Sequence, residues 1–278
     1  MKQSGLFILL FVSVLRLGAQ TAEQCINIAR EQISLGNDLA ARQMFQRVLF
    51  FDRKTYGMEC YQQLAELNLR TGNFGQSAFY FDLVFQNAKS DAEKNEALVQ
   101  KAGALLLQEK YTEARREILS LKDESEEWKM RKLLYLGACF YGEKDFAASE
   151  KIFLQIIGDK SSSQRAEVKK YFKKAKKINR KKPKTAKVLS MVLPGAGQLY
   201  AGDYRNALNS FGLNALMAYW FIYTAQTFTF SDAILSTGSW VFRYYAGGYQ
   251  RAPLLTEEVK DKKLKDNFQS LLRTVQAK

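Results

Sequence analysis

MECYQQLAELNLRTGNFGQSAFYFDLVFQ, residues 58–86, reads as two helical segments around one turn. Ala65 is a small residue in the first segment, Gly72-Asn73 is a helix-stop signal, and Ser77 is a small residue in the second. Phe81 and Val84 then follow at helical spacing. Small side chains facing each other let two helices approach closely, and the large apolar ones fill the gap to whatever stacks next.

The same pattern recurs on both sides at a period near 36 residues. With starts at Ala22, Met58, Asn95 and Met130, the eighth position is Ala29, Ala65, Ala102 and Gly137, and the twentieth is Ala41, Ser77, Ala114 and Ser149. Phe45, Phe81, Ile118 and Phe153 come next, then Val48, Val84, Leu121 and Ile156. Turn signals fall at Gly36-Asn37, Gly72-Asn73, Glu109-Lys110 and Glu143-Lys144, and Phe74, Tyr111 and Phe146 open second helices. A repeat of this length signals stacked helical pairs. The segment 22–160 resembles the tetratricopeptide repeat family, with about four repeats. It departs from that pattern at Asp38, where an aromatic is usual, at Lys101, where an apolar residue is usual, and in lacking the proline that commonly closes each repeat. The resemblance implies a concave groove that binds protein partners, lined here by Glu23, Arg30, Glu59, Gln62, Glu66, Glu96 and Arg131; a plain solvated helix face is the other reading of those residues.

Composition narrows the function. Only three prolines in 278 residues and an abundance of helix formers point to an all-α chain. There is no histidine, which removes the usual neutral-pH base, the imidazole metal ligand and the Ser-His and Cys-His arrangements. Cys25, Cys60 and Cys139 have no metal-ligand spacing and read as small buried side chains. The expectation is a non-enzyme with no catalytic residues, metal, cofactor or small-molecule substrate.

Near the start, Lys2, the apolar run Leu6–Leu15 and then Gly18-Ala19 form a secretory-signal pattern over residues 1–20. Ten residues cover only about 15 Å as a helix, half of a bilayer core, so cleavage is expected rather than anchoring. The repeats are then expected outside the cytoplasm.

The net charge of +14 is concentrated: between Arg165 and Lys187 there are twelve Lys or Arg against one acid, Glu167. Within the connector 161–187, Val168, Tyr171, Phe172, Ala175 and Ile178 recur at helical spacing, so this is a basic amphipathic helix. Lys169, Lys170, Lys173, Lys174 and Lys177 would meet lipid headgroups, at about 1 kcal/mol each, or simply solvent. No nucleic-acid module surrounds them, and no nucleic-acid partner is expected.

Residues 188–250 carry uncharged stretches at Val188–Gly202, Asn206–Ser231 and Ala233–Phe242. Length alone allows a spanning helix in the second, with Asn209, Asn214 and Gln226 against it. Leu193-Pro194-Gly195-Ala196-Gly197-Gln198-Leu199-Tyr200-Ala201-Gly202 resembles the Pro-Gly-x-Gly-Gln-x-Tyr-x-Gly motif of small bacterial membrane domains built from two transmembrane helices, found beside repeat domains in envelope proteins. That resemblance makes Pro194, Gly195, Gly197, Gln198, Tyr200 and Gly202 the membrane-motif residues. A buried helical hairpin in a soluble domain is the alternative. Residues 251–278 read as one further amphipathic helix. The expected architecture is therefore a tetratricopeptide-like helical solenoid, a basic helix and a membrane-embedded helical hairpin. The expected role is a membrane-attached extracytoplasmic scaffold of the cell envelope, contacting partner proteins and membrane lipid. The alternative is an accessory factor for membrane-protein or envelope biogenesis acting through Pro194–Gly202.

Overall fold

In the computed structural model the described residues are 21–122, 125–158 and 162–276; the signal segment expected over 1–20 lies outside them. Every element among the described residues is helical, as composition predicts. They divide into two compact units between Glu143 and Lys144.

The first unit holds α1 (Ala22–Ser34), α2 (Asp38–Arg70), α3 (Phe74–Asn87), α4 (Asp91–Leu107), α5 (Tyr111–Leu119) and α6 (Glu126–Gly142), each packing on the next. Capping boxes start α1 at Thr21/Gln24 and α4 at Ser90/Glu93. The small positions do what their size allows: Ala29, Ala65, Ala102, Ala41, Ser77 and Ala114 are all fully buried, beside Phe45, Phe81 and Ile118. After α1, α2 and α4 the chain turns through left-handed residues at Gly36 (φ 75°), Gly72 (φ 76°) and Glu109 (φ 62°). At each, that residue's own amide and the next one reach back to close the helix, as in Gly72 N to Leu69 O at 3.2 Å and Asn73 N to Asn68 O at 2.8 Å.

The missing proline has a replacement. At Asp52, inside α2, the backbone leaves helical geometry (φ −146°, ψ 68°), and its carboxylate accepts from Thr55 N at 3.1 Å, so one residue ends a helix and caps the next. Lys101, the odd residue of the third repeat, is half-buried and bonds Asp82 on α3 at 2.6 Å and Glu117 on α5 at 2.9 Å. Burial pulls its ammonium down, but the two carboxylates more than offset this and leave it above its ordinary value. Asp38 pairs with Arg70 at 2.9 Å, joining the two ends of α2, whose arms fold back on each other across the break at Asp52.

The second unit holds α7 (Phe146–Ile157), α8 (Ser162–Asn179), α9 (Pro183–Val192), α10 (Ala196–Ala201), α11 (Tyr204–Thr227), α12 (Phe230–Ala233), a π turn (Ile234–Gly238) and α13 (Ser239–Gln276). The expected turn Glu143-Lys144 is found there, with the left-handed residue at Lys144 (φ 65°), and Asp145 caps α7. α13 is the organiser: it packs against α8, α9, α10 and α11. It runs unbroken through Pro253, where a separate tail helix was expected. Val168, Phe172 and Ala175 of the basic helix are buried, Phe153 packs on Phe172 and Phe268, and Asn267 Nδ2 donates to Tyr171 O at 3.1 Å.

One expectation is corrected. Among the described residues no helix is long and apolar enough to cross a membrane. The 24 residues of α11 would cover about 36 Å, so length is adequate. Apolarity is what fails, because Asn206, Asn209, Asn214 and Gln226 interrupt it.

Candidate functional site

In the first unit, the seven groove residues lie on α1, the second arm of α2, α4 and α6, and six of them bond one another. Arg30 Nη2 donates to Glu59 Oε1 at 2.5 Å, linking the first two repeats. Gln62 Nε2 donates to Glu66 at 2.6 Å. Arg131 meets Glu96 with two bonds, 2.6 and 3.0 Å, while its guanidinium lies 4.6 Å from the Trp128 ring centre. Arg131 holds the Glu96 carboxyl below its ordinary range, against the opposing effect of burial. Glu23 is exposed. The Arg30–Glu59 and Arg131–Glu96 pairs thus stitch successive first helices together, so the charges of this face are spent within the unit. Tyr135 lies beside Gly103 in the same row, and burial pushes its hydroxyl up. A polar recess of about 630 Å³ at the turn edge, lined by Tyr111 and Thr112 among others, is likewise internally neutralised, Lys110 with Glu113 and Arg115 with Glu143.

The motif residues of the second unit are brought together and largely enclosed. Gly195 (φ 92°) and Gly202 (φ 90°) bracket the short α10, and Gly197 brings it so close to α9 that an added Cβ would overlap Ala186 O and Ser190 Oγ. Gly197 N donates to Ser190 Oγ at 3.0 Å, Ser190 Oγ donates to Gln198 Oε1 at 2.9 Å, and Gln198 Nε2 donates to Gly248 O on α13 at 3.0 Å. Gln198 is 2 % exposed, so these bonds satisfy an otherwise costly buried amide. Tyr245 Oη donates to Met191 O at 2.7 Å, the Tyr200 hydroxyl accepts from Lys182 N at 3.1 Å, and Lys181 and Lys263 donate to the carbonyl end of α10. Pro194 is half-buried at the turn. The motif is a junction that fixes α9, α10 and α13.

Outside that junction the unit is apolar in an unusual place. Of twenty-nine large apolar side chains exposed among the described residues, twenty-one lie between Val188 and Leu254. α11 buries only Ala207 and Thr224 along its whole length. Leu208, Tyr219, Phe228, Leu235 and Phe242 are each about two-thirds exposed or more, at 72, 68, 68, 81 and 67 %. Lys169, Lys170, Lys173, Lys174 and Lys177 are all exposed on α8, opposite its buried stripe.

Sequence reasoning missed one feature here. Between α11 and α13 lies an open recess of about 280 Å³ whose lining includes Asn209, Ser210, Asn214, Arg243, Gly247 and Arg251. The signal was present: Asn206, Ser210 and Asn214 sit at intervals of four in an apolar helix, and so do Arg243, Gly247 and Arg251. Among the described residues no group of three Cys, Asp or Glu side chains is placed to hold a metal. No protein-family model, curated protein or solved structure matches this chain.

Proposed function

We propose that the chain is a membrane-attached scaffold of the cell envelope, in which the repeats bind a partner protein and the second unit holds that assembly at a lipid surface. The observation that carries the reading is α11: a 24-residue helix that buries two of its side chains needs a cover. Lipid suits it, because the exposed set mixes Leu, Ile and Phe with Trp220, Tyr219 and Tyr223, residues favoured where hydrocarbon meets headgroups. Since no helix among the described residues is long and apolar enough to cross, the attachment proposed is to one face of the bilayer, with α11 and the start of α13 seated in one leaflet. The exposed lysines of α8 add attraction to anionic lipid. The repeats are placed outside the cytoplasm by the signal-like pattern at Lys2 and Leu6–Leu15. A role in membrane-protein or envelope biogenesis exerted by Pro194–Gly202 itself has less support, since Gly197 and Gln198 make their hydrogen bonds inside the unit.

The test is carbonate extraction of membranes carrying the full chain or a variant with Leu208→Ser, Leu216→Ser and Phe242→Ser, together with protease access to the repeats in spheroplasts. All three positions are exposed, so the fold should survive. The native chain is expected to resist extraction, the variant to be released, and the repeats to be cut from outside. A native chain found wholly in the soluble fraction would refute attachment, and α11 would then need a protein cover.

A further inference from the structure

We infer that the recess between α11 and α13 is a binding site for the phosphate of an anionic lipid headgroup; this deepens the membrane reading and rests on it. Arg243 and Arg251 both line the recess, and among the described residues neither has an acidic partner. No acidic side chain contributes to the lining at all, in a unit where other lysines find carboxylates, as Lys176 does with Glu150 at 2.7 Å. Both side chains are exposed, and two guanidiniums on the lining of one recess with no carboxylate beside them suit an anion.

The spacing fits a single group held between them. Eight residues of helix separate the two arginines by about 12 Å, with Gly247 midway, so a group there is within the roughly 6 Å reach of an extended side chain from each, Arg243 swinging in from its place 5.8 Å from the Trp240 ring. A Cβ added at Gly247 would meet nothing within 4 Å, so the glycine leaves the floor open; one at Gly248 would come within 3.0 Å of Ser210 Oγ, so that glycine sets how closely α11 approaches. Opposite, the Ser210 hydroxyl is buried and has no hydrogen-bond partner among the described residues, a donor left over where a phosphate oxygen would accept. The volume, about 280 Å³, suits a headgroup rather than a large cofactor. The source of the phosphate follows from the rim: Leu213 lines the recess and is itself exposed, and Trp240 stacks beside Tyr244 and lies 5.8 Å from the Arg243 guanidinium. Acyl chains would lie along the uncovered side of α11 while the phosphate sits between the arginines.

The experiment is flotation of the full chain with vesicles of phosphatidylcholine alone and of phosphatidylcholine mixed with phosphatidylglycerol, at a salt concentration that screens surface attraction, reading the ratio of the two affinities. Variants are Arg243→Gln, Arg251→Gln, the charge-neutral Gly247→Leu, and Lys184→Gln as a charge-matched control on exposed α9. The native chain is expected to prefer the anionic vesicles. Each arginine variant and Gly247→Leu should lower that preference about tenfold, against about fivefold or less for Lys184→Gln, the value of one surface charge. The proposal is overturned if Gly247→Leu keeps the native ratio, or if the arginine variants fall no further than Lys184→Gln, while binding to neutral vesicles persists. It is also overturned if soluble glycerol phosphate at millimolar concentration raises the chain's melting temperature without vesicles, which would make the ligand a free phosphate ester. Failure to float with either vesicle refutes the membrane reading, and this site as a lipid site with it.

Discussion

Gly197→Ala should unfold the second unit far more readily than its size suggests. The added methyl would overlap the carbonyl of Ala186 and the hydroxyl of Ser190, and one of these is backbone that cannot rotate away. α9 and α10 must therefore separate, at about 1–3 kcal/mol for overpacking. Separation also stretches the chain of bonds from Gly197 N through Ser190 Oγ to Gln198 and Gly248 O, and leaving the buried Gln198 amide unpaired adds about 1–3 kcal/mol. Alanine's better helix propensity returns up to about 1 kcal/mol. The net expectation is a loss of about 1–6 kcal/mol, with a central value of about 3. Gly212→Ala is the control: it lies in α11 with nothing within 4 Å of an added Cβ, so propensity acts alone and stability should stay level or rise by up to about 1 kcal/mol. The assay is denaturant unfolding of the full chain followed by tryptophan fluorescence, with Trp128 replaced by Phe so that only Trp220 and Trp240, both in the second unit, report. A Gly197→Ala protein within about 0.5 kcal/mol of the parent, or a Gly212→Ala protein as destabilised as Gly197→Ala, would refute the close-approach argument.

The turns offer a paired test: Gly72→Ala should cost about 1 kcal/mol through its left-handed backbone alone, since nothing lies within 4 Å, whereas Glu109→Gly at the equivalent turn should be neutral or stabilising, both measured by thermal unfolding. Because Glu96 is held below its usual 4.5, its contribution is present above that value and is lost as pH falls through the lower folded-state one; Arg131→Met should raise the Glu96 carboxyl in an NMR titration and flatten the acid limb of the stability curve. Burial pushes the thiols of Cys60 and Cys139 up to about 12, and Cys25 is fully buried, so iodoacetamide at pH 7.5 should label none of the three in the native chain and all three after denaturation, as read by intact mass; labelling of the native protein would contradict the described core.

The repeats were legible because each signature position has one physical job. Ala65 and Ser77 are small where helices touch, Phe81 and Val84 are large where repeats stack, and Gly72 stands where φ is positive. Glu109 and Lys144 take the same left-handed geometry with no glycine to announce it, so in those turns the spacing of the repeat, not the residue type, located the reversal. Asp52 is equally silent: an aspartate breaks helices only when its carboxylate is within reach of an amide, which composition does not reveal. The second unit was harder. Its core is built from distant pairs such as Tyr171 with Asn267 and Gln198 with Gly248, and residues 251–278, read as a separate helix, continue α13 through Pro253, with Ala252 and Leu255 buried. Uncharged length suggested crossing helices, and only the pairing of α11 with α13 reveals that the interrupting asparagines face a shared recess.

The long α13 also imposes an order of events during synthesis. α7 and α8 bury Phe153, Phe172 and Val168 only with the help of residues near Phe268 and Leu271, so this part of the fold has to wait for the ribosome to deliver α13. At about 5–20 residues per second, the roughly fifty residues from Thr227 to Gln276 take several seconds. Throughout that interval α11 is fully made and has none of its partners on α13. Under the proposed attachment, a nascent helix of that character would settle on lipid first, and the closing helix would then assemble the unit already on its surface.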